Sequence, residues 1–173
     1  MNEYTHIKRN FDALYDSLSS ILILGSFPSV KSRQAAFYYG HPQNRFWKLM
    51  SMLLNCDIPN DIDCKKAIIL QNHIALWDTI EECDIIGSSD SSIKNVVPVD
   101  IARIINAANI KAIFCNGNAS YNLFMKYLYP ICKITPVKLP STSPANAAWS
   151  LSRLYDAWSN ALSPYIKNEP QAH

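Results

Sequence analysis

The 173-residue sequence has no apolar run approaching the roughly 20 residues needed to cross a bilayer. Its first residues, MNEYTHIKRNFDALYDSL, are polar and charged where a secretory signal would be greasy. Both absences predict a cytoplasmic protein. The five cysteines, Cys56, Cys64, Cys83, Cys115 and Cys132, are odd in number and form no CxxC pair, which argues against a disulfide framework and against a zinc or iron–sulfur site. Neither GxGxxG nor GxxxxGKS/T occurs, so dinucleotide and P-loop binding lack support. A GxSxG nucleophile elbow is also missing. There are no internal repeats and no low-complexity segment, and no metal or organic cofactor is expected. An apolar fraction of 49% over this length suffices for a single domain, 1–173, with its own core. A monomer is expected, with a tail that frays after Pro164.

Acid is absent from two long stretches. Ile21 to Met50 holds Lys31, Arg33, Arg45 and Lys48, and Lys111 to Arg153 holds Lys111, Lys126, Lys133, Lys138 and Arg153. Between them, Ser51 to Asp90 carries Asp57, Asp61, Asp63, Asp78, Glu81, Glu82, Asp84 and Asp90 against Lys65 and Lys66. If the two acid-free stretches meet in space they make a positive face suited to phosphates; ordinary solvated surface charge is the alternative.

What is present reads as alternating helix and strand. Ile7, Phe11, Leu14 and Leu18 fall at helical spacing, so the sequence predicts a first helix from about Thr5 to Leu18. Ile21 to Leu24 is a short aliphatic run closed by Gly25 and Pro28, the pattern of a buried parallel strand. Asn44 is a good N-cap for a helix carrying Phe46, Trp47, Leu49, Met50, Leu53 and Leu54. A helix over Cys64–Asn72 and a strand ending at Trp77 and Asp78 follow. Thr79 to Asn95, acidic and serine-rich, reads as a loop over one edge of the site. Pro98 suits a helix start. Ile110 to Cys115 is a further strand, CNGNA a sharp turn into a helix over Ser120–Tyr129, Ile134 to Val137 a last strand, and Ala147 to Leu162 the closing helix. Such alternation predicts an α/β fold with a parallel sheet and helices on both faces.

In sheets of this kind ligands bind at the carboxyl ends of strands. Two loops at such ends stand out, GSFPSVKSRQAAFYYGHPQN and LPSTSPAN, both in the acid-free stretches. The first is long and aromatic, which favours function over disorder. The serines of the second suit phosphate binding or a tight turn better than nucleophilic attack.

The runs GSFPS and YYGHPQNRFW, with ALWD in the middle and LPSTSPAN near the C-terminus, resemble the uracil-DNA glycosylase superfamily. The similarity is strongest to the hypoxanthine-DNA (DNA-deoxyinosine) glycosylase branch, and the HPxNRFW segment is shared with mismatch-specific uracil glycosylases. It extends from Ile21 to about Trp158. It implies a three-layer α/β/α sandwich around a four-stranded parallel sheet, and an enzyme that flips a deaminated base out of DNA and hydrolyses its N-glycosidic bond. By this resemblance Tyr39 stacks on the flipped base, a core tyrosine being the alternative, in a pocket with Gly25, Ser26, Phe27 and His41. Asn44 is the catalytic asparagine, alongside its role as a helix cap. Lys31, Ser32, Arg45, Ser141, Thr142 and Ser143 are expected to meet DNA, with Pro144 to Asn146 as a wedge.

Two positions depart from better-known members. Phe27 stands where many have a catalytic Asp or Asn, and it cannot activate water. Leu139 stands where many have a histidine that stabilises the departing base. Asn44 can orient a water or a base but is no general base near neutrality. Asp78 is the best-placed carboxylate for the base edge or a water, or else caps the next loop; His41 meets a phosphate or the pocket wall, or packs its loop. Nothing indicates a lyase step, for which an amine must form a Schiff base. The expected activity is therefore monofunctional excision of hypoxanthine, or of uracil, leaving an abasic site. A mismatch-specific uracil or thymine glycosylase, an inactive DNA-binding member of the fold and an unrelated serine hydrolase are the alternatives.

Overall fold

The computed structural model describes residues 3–166. In chain order the elements are β1 (Thr5–Lys8), β2 (Ile21–Gly25), α1 (Val30–Ala35), α2 (Phe46–Leu53), α3 (Ile62–Gln71), β3 (Ile74–Asp78), β4 (Ile80–Ile85) and β5 (Lys94–Pro98). Then come α4 (Ala102–Ala107), β6 (Ala112–Asn116), α5 (Asn118–Leu123), α6 (Tyr129–Cys132), β7 (Val137–Leu139) and α7 (Leu151–Leu162), with a π-helical turn, Phe124–Leu128, joining α5 to α6. The main sheet has four strands in the order β3-β2-β6-β7, every pairing parallel. Leu24 pairs with Trp77 and Cys115, so β2, β3 and β6 end side by side.

Side-chain alternation on the central strand builds the layers. Ile21 and Ile23 of β2 enter a core with Phe46, Leu49 and Met50 of α2 and Leu154, Trp158 and Leu162 of α7. Leu22 and Leu24 enter the opposite core, with Ile104 of α4 and Phe124 and Leu128 of the π-helical turn. The expected α/β/α sandwich is thus the observed one. A strand buried on both faces has no polar side to alternate with, which is why ILIL was legible as a central strand.

Three expectations are corrected. The segment Thr5–Leu18 is no helix: β1 pairs antiparallel with β4, and Leu14 bridges to Leu76, each backbone N–H donating to the other's carbonyl. Its apolar spacing arose from unrelated contacts, Phe11 edge-on against Tyr38 and Leu14 in the core, while Leu18 is exposed. The supposed loop Thr79–Asn95 holds β4, which pairs with β1 and β5 in a second, antiparallel sheet, and bulges at Ile80–Glu82 and Glu82–Asp84 broke the two-residue period that would have revealed it. Pro98 ends β5 instead of starting a helix, which begins at Ala102. Two smaller shifts place the last strand at Val137–Leu139 and the start of the closing helix at Leu151, where the Ser150 hydroxyl accepts from Arg153 N. Of the tail, Ile166 packs into the core and Tyr165 lies edge-on to Phe114; its remaining residues lie outside those described.

Trp158 fixes the closing helix to the site. Its ring is fully buried against Phe46 and its Nε1 donates to the Pro140 carbonyl at 2.9 Å, at the start of the second loop. Trp158→Ala is therefore expected to cost about 3–5 kcal/mol in urea unfolding, as for other large-to-small core changes; a loss below about 1 kcal/mol would show that α7 is not an integral layer.

Candidate active site

The ends of β2, β3, β6 and β7 surround a cleft of about 300 Å³. It gathers Gly25, Ser26, Phe27, Ser32, Tyr39, His41, Asn44, Asp78, Ser141, Thr142, Ser143 and Pro144 from the expected site residues. Asn146 lies instead on an adjoining cavity, while Lys31 and Arg45 line neither. The acid-free stretches do meet, since β2 pairs with β6 and Arg45 N donates to the Thr142 carbonyl at 3.1 Å.

Hydrogen-bond polarity fixes the orientation of Asn44. Thr142, fully buried, donates its backbone N–H to Asn116 Oδ1 (3.0 Å), so Asn116 Nδ2 donates to the Thr142 hydroxyl (3.0 Å). That hydroxyl in turn donates to Asn44 Oδ1 (2.9 Å), which also accepts from Phe46 N (2.9 Å). The N-cap position of α2 falls on Arg45, not on Asn44 as expected; from the residue before it, the Asn44 oxygen accepts the first amide of the helix, and both its lone pairs are committed. Its Nδ2 has no partner among the described residues, so the group offered to the cleft is a donor.

The floor is set by a buried ion pair. Arg9 donates to Asp78 Oδ2 at 2.9 Å, and both side chains are under 10% exposed. Arg9 also holds the Phe11 carbonyl and the Tyr38 hydroxyl. Asp78 Oδ1 turns toward Gly25, where any Cβ would collide with it. Burial pushes the Asp78 carboxyl above its ordinary range, with Arg9 opposing.

Tyr39 stands beside it with φ +54°, a left-handed backbone that costs a bulky residue about 1–3 kcal/mol. One ring face stacks on Phe46 at 3.9 Å between centroids. The hydroxyl is buried without a hydrogen-bond partner. Burial, then the charge of Asp78, push its pKa far up, with Asn116 working the other way, so it stays a donor.

Other residues hold the loops. Ser32 Oγ is buried and accepts from Gly40 N and from Ser29 Oγ. Arg45 donates to the carbonyls of Ser143, Asn146 and Trp149, clamping LPSTSPAN instead of projecting into solvent. Ser141 and Ser143 hydroxyls accept from Ser143 N and Ala145 N, so of the two roles expected for them, phosphate contact and a tight turn, the turn is the one seen here. His41 Nδ1 accepts from Gln43 N, which leaves Nε2 as its donor nitrogen. Phe27 belongs to an apolar cluster with Ile80, Cys83 and Ile85 of β4. Leu139 is core. Lys31 is exposed on α1.

Sequence reasoning missed Arg9, Asn116 and Asp90. Asn116, at a strand end in CNGNA, was accessible to the strand-terminus rule; Arg9 carried no local signal. Asp90 lay in the acidic segment already read as flanking the site.

This cleft has an aromatic wall, directed amides and a floor of charge, but its serines and histidine form no nucleophile–base contact. Such an arrangement can accommodate a flat polar ring and offers no side-chain nucleophile activated by a base. The family described as the uracil DNA glycosylase superfamily matches residues 13–163. The chain is 33% identical over 148 residues to a protein of Methanosarcina acetivorans named hypoxanthine DNA glycosylase, covering 85% of this chain and 93% of the relative. It is 30% identical over 159 residues to one of the same name from Methanosarcina barkeri, covering 90% and 98%. A solution NMR structure of a proposed uracil DNA glycosylase from Methanosarcina acetivorans superposes with a TM-score of 0.75 at 28% identity, covering 90% of this chain and 98% of that one. The chain belongs to the uracil DNA glycosylase superfamily, and it is an enzyme of that class, a DNA glycosylase. Among the described residues, no helix is long and apolar enough to cross a membrane.

Arg9→Met tests the floor. A carboxyl raised on folding favours the folded state below its unfolded value, about 3.9, and loses that contribution as pH rises through the folded value. Removing the opposing cation raises Asp78 further, so the variant should lose about 3–5 kcal/mol at pH 7 and less toward about pH 4. A pH-independent loss in urea titrations would mean that Arg9 acts by packing alone.

Proposed function

We propose that the protein is a monofunctional DNA glycosylase that draws a deaminated nucleotide, deoxyinosine first, out of the duplex. It hydrolyses the N-glycosidic bond and leaves an abasic site for base excision repair. The observation that carries this reading is the pair at the floor, an unpartnered Tyr39 donor beside the Asp78 Oδ1 acceptor. Hypoxanthine presents the complement, an O6 acceptor next to an N1–H donor, whereas adenine presents the reverse. The names of the Methanosarcina relatives support the same base. Uracil offers an equivalent pair at O4 and N3–H, so uracil excision is the second reading.

Extruding a nucleotide costs a few kcal/mol, least where pairing is already weakened, as at deaminated bases. The exposed ring surface of Tyr39 gives the base a stacking partner, and phosphates are met by the acid-free segments, with Lys31 at their edge. Pro144 to Asn146 fill the vacated stack, and Ser141, Thr142 and Ser143 shape that loop. The Asn44 amide donates to water or base, so it positions without taking a proton.

The test uses labelled duplexes carrying one deoxyinosine or one deoxyuridine, treated with alkali after incubation. Hypoxanthine release that falls by at least about 100-fold in Asn44→Ala, with DNA affinity within a few-fold, is expected; unchanged turnover would sink the assignment of Asn44. Tyr39→Phe separates ring from hydroxyl. It should melt no lower than the wild type, since a buried unsatisfied group is removed, while excision drops by about tenfold through the lost base contact. Equal excision would assign the ring a purely stacking role.

A further inference from the structure

One carboxylate on the cleft has no part in the reading above. Asp90 opens the short turn Asp90–Ser92 between β4 and β5 and lines both the main cleft and the cavity beside it. Its side chain does not cap its own turn. The hydroxyls of Ser92 and Ser89 serve that turn, Ser92 Oγ donating to the Ser89 carbonyl and accepting from Ile86 N. Instead Asp90 Oδ1 accepts from Ser26 Oγ at 2.8 Å, across to the end of β2 in the first signature motif. Among the described residues it forms no ion pair, and its Oδ2 accepts no hydrogen bond. A lone negative charge beside a surface that must approach phosphates weakens binding, so its presence there calls for another role.

Depth separates the two carboxylates. Asp78 is 5% exposed at the floor and neutralised by Arg9, whereas Asp90 is exposed at the rim. A flipped nucleotide enters base first, which brings the base edge to Asp78 and leaves the sugar C1′ near the mouth. The Asn44 oxygen is consumed by Thr142 and Phe46, so the motif asparagine cannot accept a proton from water. We propose that Asp90, held by Ser26, is the catalytic base for the hydrolytic water, an inference that rests on the glycosylase reading but not on which base is excised.

The step balances. The water oxygen bonds to C1′ as the C1′–N bond breaks and its electron pair leaves on the base nitrogen. The water proton passes to Asp90 Oδ2 and from there to the departing base or to solvent. The same carboxylate faces the positive charge that develops on the sugar. Partial desolvation at the rim, opposed by the Ser26 bond and reinforced by the like charge of Asp78, raises the Asp90 carboxyl above its ordinary value, which strengthens it as a base.

Single-turnover excision from deoxyinosine and deoxyuridine duplexes by the wild type, Asp90→Asn and Asp90→Ala tests this. Both variants should lose at least about 100-fold in rate, bind DNA as tightly as the wild type or more so, and keep its melting temperature; added formate should restore part of the rate to Asp90→Ala. Rates within threefold of the wild type would overturn the inference while leaving the glycosylase reading intact, and so would a rate loss matched by an equal loss of DNA affinity. If the wild type releases uracil and not hypoxanthine, the deoxyinosine reading falls and the uracil duplex alone decides the role of Asp90. Release of neither base overturns both.

Discussion

The buried hydroxyl of Thr142 governs the geometry of the cleft. It accepts from one asparagine and donates to another, and because the backbone N–H of Thr142 dictates which way Asn116 faces, the direction of the whole chain is fixed. Three loops from separate strand ends are thereby held in one register, and Asn44 has no freedom to flip. A residue usually described by its side-chain type is here defined by which half of its amide remains. In a low-dielectric pocket that distinction is large, since a satisfied acceptor and an open donor do different chemistry. Arg45 adds to the same constraint by gathering carbonyls from across the second loop.

The two departures from the familiar motif pattern have structural explanations. Phe27 seals a small apolar cluster formed with β4, an element of the second sheet, and Leu139 ends β7 within the main core. Both side chains are buried in apolar clusters, Phe27 at the edge of the cleft, where a carboxylate or imidazolium would displace packing without a partner. Charge enters the cleft from elsewhere, through Asp78 on β3 and Asp90 on the turn after β4. Their environments push in the same direction, upward, but only Asp78 has a cation to oppose the shift. A permanently paired carboxylate suits recognition, and an unpaired one suits proton transfer.

Much of this was legible because parallel sheets leave strong marks. ILIL, IALWD and AIFC were read as strands from composition alone, and the carboxyl-end rule then led to the loops that form the cleft. The positions of Tyr39 and Asn44 in that cleft followed from motif resemblance, whereas Thr142, expected to meet phosphate, is fully buried between two asparagines. What escaped was whatever depended on long-range pairing. Arg9 sits in a segment whose helical spacing was accidental, and its partner lies 69 residues away. The second sheet hid behind bulges and a run of acids. Arg45 and Ser32 were expected at DNA because charge and hydroxyls favour phosphate. Yet these side chains are turned to carbonyls, a hydroxyl and an amide within the protein, which no local pattern records.

The site carries several local costs at once: a left-handed Tyr39, an orphaned hydroxyl and an ion pair withdrawn from water. Each is tolerated because the layers behind it are rigid. Phe46 stacks under Tyr39 and is itself gripped edge-on by Trp158, whose indole holds the start of the second loop. Support and strain thus share the same side chains. A substitution that relaxes the Tyr39 backbone or pairs its hydroxyl internally would stabilise the fold while removing an open donor from the cleft. Strain and an unpaired donor are therefore concentrated in the cleft, where a ligand could relieve them, and not in the layers behind it.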